Sequence, residues 1–311
     1  MGTEQDQPYL TYAKYLRARY GRVVYRVAVD AGFSCPNREK GRGTPGCTYC
    51  AGDGARAPYL GDRQGMREQV ERAVSFLRRR YGAEEFILYF QAFSNTNAPV
   101  AELARVYDEG LSLARFRGLS VATRPDCVDA GKARLLASYS GRGLDVWVEM
   151  GLQSCHDSTL ARISRGHTSG DFLRAYGILK EAGLKVAVHL IFGLPGEGYG
   201  EMMETVAFVS RLDPDGVKIH NLHITRGTVL EREMRMGEVT APSPERHLSY
   251  VIAALERLPP RTVVMRLTCD TPKAMLASPR RFWPKAAFAD RLEALMRAQG
   301  ARQGRLYGAG A

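Results

Sequence analysis

The chain has 311 residues, 45% of them hydrophobic and 25% charged, with a net charge of +11 from 44 Lys and Arg against 33 Asp and Glu. No apolar run approaches the roughly 18–20 residues that cross a membrane, and the polar start Met1-Gly2-Thr3-Glu4 lacks an apolar signal core. A cytoplasmic protein with no membrane partner is expected, its basic excess favouring polyanionic partners and its six scattered cysteines arguing against a disulfide framework.

Strand-like runs at 23–29, 86–90, 119–123, 145–150, 185–192 and 216–224 alternate with helix-like ones. Met66, Val70, Ala73, Val74, Leu77 and Tyr81 recur at helical spacing, and so do Val100, Leu103, Ala104, Tyr107 and Leu111. Further helices are predicted at 132–139, 171–182 and 201–212, with Gly82 and Gly183 where two of them should stop. Six βα units in series predict an α/β fold, a partial (β/α)6 TIM-like barrel of parallel strands. A Rossmann-type sheet is the alternative, weakened because no G-x-G-x-x-G follows the first strand. After the Pro242-Ser243-Pro244 connector come a helix at 245–258, an apolar run at 262–268 and a helix at 285–298. They read as a C-terminal α/β extension, giving a lead-in at 1–20, a barrel at 21–228 and an extension at 229–311 whose tail from 304 frays.

The unusual polar motifs follow the strands, as chemistry does in parallel α/β folds. The first loop holds Cys35, Cys47 and Cys50. Three thiolates can ligate three irons of a 4Fe-4S cube and leave the fourth open, whereas electron-transfer clusters use four. Zinc is the rival, although Cys47 and Cys50 form a CxxC pair with no second pair. A thioredoxin-type CxxC would leave Cys35 without a role. Gln91-Ala92-Phe93-Ser94-Asn95 follows the second strand, and its Asn95 also suits a plain turn. Glu149 interrupts an apolar strand, and a buried carboxylate needs a partner, so a functional role is expected. His189 and His223 read equally as core histidines or ligand contacts. Gly193-Leu194-Pro195-Gly196 can turn the chain or let backbone approach a ligand. Cys127, Cys155 and Cys269 read as buried small apolar side chains, with a second cluster or sulfur chemistry as the alternative.

Taken together, Cys35…Cys47-Thr48-Tyr49-Cys50, Gln91–Thr96, Thr123-Arg124-Pro125-Asp126, Glu149–Gln153, Ile163-Ser164-Arg165-Gly166-His167 and Phe192–Glu197 resemble the radical S-adenosylmethionine (SAM) enzymes over about residues 10–275. The nearest branch holds the Elongator catalytic subunit and oxygen-independent coproporphyrinogen oxidase, and within it a small bacterial subfamily without a settled function. The resemblance implies a 4Fe-4S cluster on Cys35, Cys47 and Cys50, with SAM as second cofactor. It implies Tyr49, Leu194 and Gly196 against the adenine, Gln153 with Glu149 at the ribose and Arg165 on the methionine carboxylate. Gln91, Ser94 and Asn95 would stand at the methionine amino group, and His189 would line the same pocket. SAM would be cleaved reductively to a 5′-deoxyadenosyl radical that takes hydrogen from a substrate. A donor such as flavodoxin or ferredoxin is implied, and RNA, above all tRNA, is the expected substrate. A small metabolite or protein substrate is the alternative, and from another class a non-catalytic zinc- or cluster-stabilised RNA-binding protein. The sequence departs from the family in its long Cys35–Cys47 gap, in Gln91-Ala92-Phe93-Ser94 where relatives carry Gly-Gly-Glu, and in Ala122 where several carry Glu.

Overall fold

The computed structural model describes residues 7–38, 46–52 and 65–308. Seven strands form one wholly parallel sheet: β1 Val24–Val29, β2 Glu85–Phe90, β3 Phe116–Thr123, β4 Asp145–Gln153, β5 Lys185–Phe192, β6 Gly216–Asn221 and, skipping the short β7 Ile224–Thr225, β8 Val263–Arg266. The sheet keeps sequence order, so every crossover turns the same way and the sheet curls into a half-barrel. Its curvature is visible in side chains: Lys218 on β6 reaches Tyr89 on β2.

Helices α1 Tyr12–Tyr20, α2 Met66–Tyr81, α3 Val100–Ser112, α4 Ala130–Gly141, α5 Asp157–Arg162, α6 Ser169–Glu181, α7 Tyr199–Arg211, α8 Val229–Arg235, α9 Pro244–Arg257 and α10 Lys285–Ala298 complete the described residues, with β9 Leu276–Ser278 paired antiparallel to β7. Each crossover helix turns one apolar stripe onto the sheet's outer face. On α2 that stripe is Val70, Ala73 and Val74, while Arg79 and Arg80 stay in water. Gly82, in the left-handed region at φ 62°, ends α2 as its position predicts. Thr168 and Asp171 cap the start of α6 reciprocally, and Ser243 with Pro244 starts α9.

Strand alternation sorts the core into two sides. Val27, Val121, Val148, Val188 and Val217 face the helices. The opposite side chains fill the barrel in layers. The lowest layer is apolar, with Val24, Ile87, Trp147, Ala187 and Val263 closed from below by Tyr12 and Leu16 of α1.

The lead-in holds α1, which closes the barrel floor. The structure sharpens three further expectations. The run at 262–268 supplies β8, a seventh strand of the same sheet, hydrogen-bonded to β6. The run at 216–224 breaks after Asn221, because Ile224 leaves the parallel ladder to pair with Ser278. The tail does not fray at 304: Gly304 N bonds Leu255 O at 3.0 Å, Leu306 N bonds Glu256 O at 2.7 Å, and Gln303 accepts from Leu10 N. No helix among the described residues is long and apolar enough to cross a membrane.

Candidate active site

All the polar loops named from the sequence open at the carboxyl end of the half-barrel, where β1 to β6 each end. The cysteine loop leaves β1 and is held from beneath: Thr48 N bonds Ile163 O at 3.0 Å, and Leu230 N bonds Thr48 O at 3.1 Å. Asn37 donates to Ser164 O at 2.7 Å and to Cys47 Sγ at 3.4 Å. Arg38 donates to Cys50 O at 2.7 Å, and Arg165 Nη1 reaches Cys47 Sγ at 3.6 Å. Burial disfavours the Cys47 thiolate, but Arg165 and then Arg124 outweigh it and hold the thiol below its usual pKa. Burial raises the Cys50 pKa, with Arg38 opposing it and the neighbouring Cys47 and Cys35 adding to it. Three free cysteines in one loop, with Cys47 drawn toward its thiolate form by Arg165, are the donor set that a 4Fe-4S cluster with one open iron would take. Residues 39–45, between Cys35 and Cys47, lie outside the described ones.

Beside the cysteines, Arg165 is pinned on three sides. Its Nη2 donates to Gly151 O at 3.1 Å, its Nε to His167 Nε2 at 2.9 Å, and Arg124 holds its carbonyl at 2.8 Å. Burial and Arg165 together push His167 down to about 3, so it is neutral and accepts that bond. Gln153 lies over the same strand position: a Cβ on Gly151 would fall 2.5 Å from Gln153 Nε2 and 2.6 Å from Arg165 Nη2. Gly151 is therefore the space into which both side chains fold. Tyr49 packs with Ile191, Leu194 and Leu222 in an apolar cluster next to Arg165. Gly196 and Leu194 also line a cavity of about 220 Å³ shared with Glu197, Pro242, Arg246 and Tyr250.

The loop after β2 is built differently from its expectation. Asn95 is fully buried, and its Nδ2 donates to Phe90 O, Ala92 O and Ala122 O. Ser94, equally buried, bonds Cys127 Sγ at 3.2 Å and receives Arg124 N at 3.2 Å. Ser94 and the Asn95 amide NH2 hold the loop against β3, because a turn between two buried strand ends must satisfy its own carbonyls, while Asn95 Oδ1 is buried with no hydrogen-bond partner among the described residues. Gln91, directly after β2, is only partly buried.

Glu149 is 1% exposed and lies inside the half-barrel rather than at its rim. Arg26 Nη1 bonds it at 2.9 Å, Tyr89 at 2.6 Å, Ser120 at 3.0 Å, and Lys218 forms an ion pair with it. Burial opposes its charge, yet Lys218 and Arg26 hold its pKa well below the carboxylate range. His189 Nε2 stands 3.3 Å from Glu149 without hydrogen-bond alignment, and burial and Lys218 depress its pKa to about 4. Arg26, Tyr89, Lys218 and Arg266 went unpredicted. Lys218 was legible by the argument that found Glu149, since it too interrupts an apolar strand; Arg26 was masked by the alternation of a short strand.

A model of the radical SAM superfamily matches residues 35–209, and the Radical_SAM C-terminal domain matches 214–298. The first match alone spans more than half of the chain and begins at Cys35. The chain belongs to the radical SAM superfamily. It is 35% identical over 264 residues to protein YhcC of Escherichia coli, covering 85% of this chain and 84% of that one. It is 30% identical over 194 residues to the tRNA uridine(34) acetyltransferase of Dehalococcoides mccartyi, covering 61% of this chain and 41% of that enzyme. The Elp3 structure from the archaeon Methanocaldococcus infernus shares the fold at TM-score 0.67 and 20% identity, over 90% of this chain and 64% of that one.

As a radical SAM enzyme the protein uses a 4Fe-4S cluster and SAM and needs an electron donor. The zinc and thioredoxin readings of the cysteines therefore lapse, and the C-terminal match covers the segment that supplies β8.

Proposed function

We propose that this radical SAM enzyme modifies RNA, with tRNA as substrate, and that Cys35, Cys47 and Cys50 hold its cluster. The likeness to a tRNA-modifying enzyme across 61% of the chain carries the RNA reading, and the net charge of +11 supports it. When bound, the cluster and SAM supply one-electron cleavage of SAM to methionine and a 5′-deoxyadenosyl radical.

The chain's own residues bind, orient and shield. Arg165, fixed by Gly151 O and His167, offers its remaining donors to the methionine carboxylate. Gln153, folded over Gly151, reaches the ribose. Tyr49, packed against the apolar cluster that holds Leu194, and the turn at Leu194 to Gly196 line the adenine. Gln91 and the buried Oδ1 of Asn95 are the acceptors this loop offers the methionine amino group, while Ser94 bonds Cys127 and Arg124. Glu149 sets the charge beneath this pocket instead of touching the ribose, and His189 stands between them. Electrons come from a flavodoxin or ferredoxin. The barrel unit 21–228 carries these contacts, and 229–311 closes its open edge.

The test is anaerobic turnover on tRNA. Reconstituted enzyme, SAM and reduced flavodoxin are incubated with unfractionated tRNA, and digested nucleosides are read by mass spectrometry. A new nucleoside mass, formed with 5′-deoxyadenosine and absent in Arg165→Ala, is expected. Cleavage of SAM that tRNA neither stimulates nor follows with a mass change would move the substrate to a metabolite or protein.

A further inference from the structure

The interior of the half-barrel holds more positive charge than its own acid can balance. Arg26 and Lys218 share Glu149, while Arg266 bears electrostatically on Lys218, His189 and His220. Among the described residues no hydrogen bond or ion pair engages Arg266, and Glu149 is the acid that acts on Lys218. His189 and His220 are neutral, since burial disfavours their protonated forms. Burial, helped by Arg26 and Arg266, drives Lys218 well below its usual pKa against the pull of Glu149. Arg26 and Arg266 alone already exceed the one carboxylate, so the surplus positive charge of this space is relieved by neutralising Lys218 or by admitting a guest anion that keeps it charged.

The geometry gathers these groups on one wall. Gly151, His189, Lys218 and Arg266 are successive ladder partners across β4, β5, β6 and β8, so they sit in one layer. His220 lies one step nearer the mouth, its ring stacked on His189 at 5.6 Å. The Nε2 atoms of both histidines are buried and have no hydrogen-bond partner. A guest cation would be repelled, and an apolar guest would leave those nitrogens unsatisfied.

We propose that Lys218, Arg266, His189 and His220 form an oxyanion site inside the half-barrel that takes a carboxylate or phosphate of the substrate. The guanidinium can grip such a group with two parallel bonds, the ammonium adds a point charge, and two neutral imidazoles can each donate an N–H. This deepens the enzyme reading and rests on it, because the site lies directly below the mouth assigned to SAM. SAM's own carboxylate has a separate cation in Arg165, next to Cys47.

The test uses reconstituted enzyme labelled with ¹³C in its six histidines, saturated with SAM and kept without reductant. Acetate and inorganic phosphate are titrated in turn at fixed ionic strength, and the imidazole signals are assigned with single His→Gln variants. The His189 and His220 signals should shift saturably while His156, partly buried and bonded to Glu201 O, stays put. A response to acetate alone names a carboxylate, and one to phosphate alone names a phosphate. Arg266→Gln should raise the dissociation constant at least tenfold; Arg72→Gln, on the exposed face of α2, should leave it unchanged, with melting curves showing both variants folded. No saturable shift, an equal shift at His156, an unaltered response in Arg266→Gln, or a response only when SAM is omitted would overturn the site. The readout needs neither turnover nor RNA. An anion response without SAM cleavage or RNA modification would therefore count against the proposed function alone.

Discussion

Glu149 shows how one side chain sets the charge of a whole interior. Its carboxylate receives Arg26, Tyr89, Ser120 and Lys218, and no polar atom of it is left over. Removing one partner of such a network leaves the other buried and uncompensated. Glu149→Gln should lower unfolding free energy by about 3–5 kcal/mol in urea titrations. Adding Lys218→Met should recover much of that loss, because the second change removes the charge the first one stranded. Equal, additive losses would show that the pair does not interact. Arg165 is the second decisive residue. Arg165→Lys keeps the charge but loses the fork that spans Gly151 O and His167, so SAM affinity should fall about 10–100-fold by equilibrium binding. Unchanged affinity would remove Arg165 from the SAM site.

At the scale of elements, the strand β4 carries both ends of the argument. Trp147 fills the floor against Tyr12 and Tyr15 of α1, Glu149 sits in the middle, and Gly151 makes room for Arg165 and Gln153 at the top. Trp147→Ala should therefore cost about 3–5 kcal/mol in stability with little effect on SAM affinity beyond it. Gly151→Ala should do the reverse, displacing Gln153 and Arg165 and weakening SAM binding at nearly constant melting temperature. The strands and crossover helices were legible because each buries one face and advertises it by periodicity. Helix α1 was not, since its sequence mixes Tyr, Lys and Arg with only Tyr12 and Leu16 buried. The seventh strand read as an apolar run but not as part of the barrel, because partner choice depends on the sheet's curvature. The cysteines, Tyr49 and Arg165 were legible as motif members. Asn95 keeps both of its readings, since its amide NH2 holds three carbonyls as a turn residue would while its Oδ1 has no partner among the described residues.

Across the whole molecule, buried histidines tie stability to pH. His189, His223 and His247 are pushed down to about 4, in each case chiefly by burial, and His167 to about 3. Their unfolded pKa is about 6.5, so the unfolded chain takes up protons first as the pH falls. Stability from these groups is complete above pH 6.5 and is lost as pH drops toward 4. Urea midpoints should rise with pH from 4 to 6.5 and level off above 7. A flat profile over that window would mean that these histidines are not buried neutral in the fold.

The central claim is that Cys35, Cys47 and Cys50 carry a cluster that cleaves SAM. It is tested by reconstituting the protein anaerobically, counting iron and zinc, and assaying 5′-deoxyadenosine after dithionite and SAM are added. About four irons per chain, with 5′-deoxyadenosine formed by the native protein and absent in the Cys35→Ala, Cys47→Ala, Cys50→Ala variant, is the expected result. Zinc in place of iron, or native protein with a full cluster that leaves SAM intact, would contradict it.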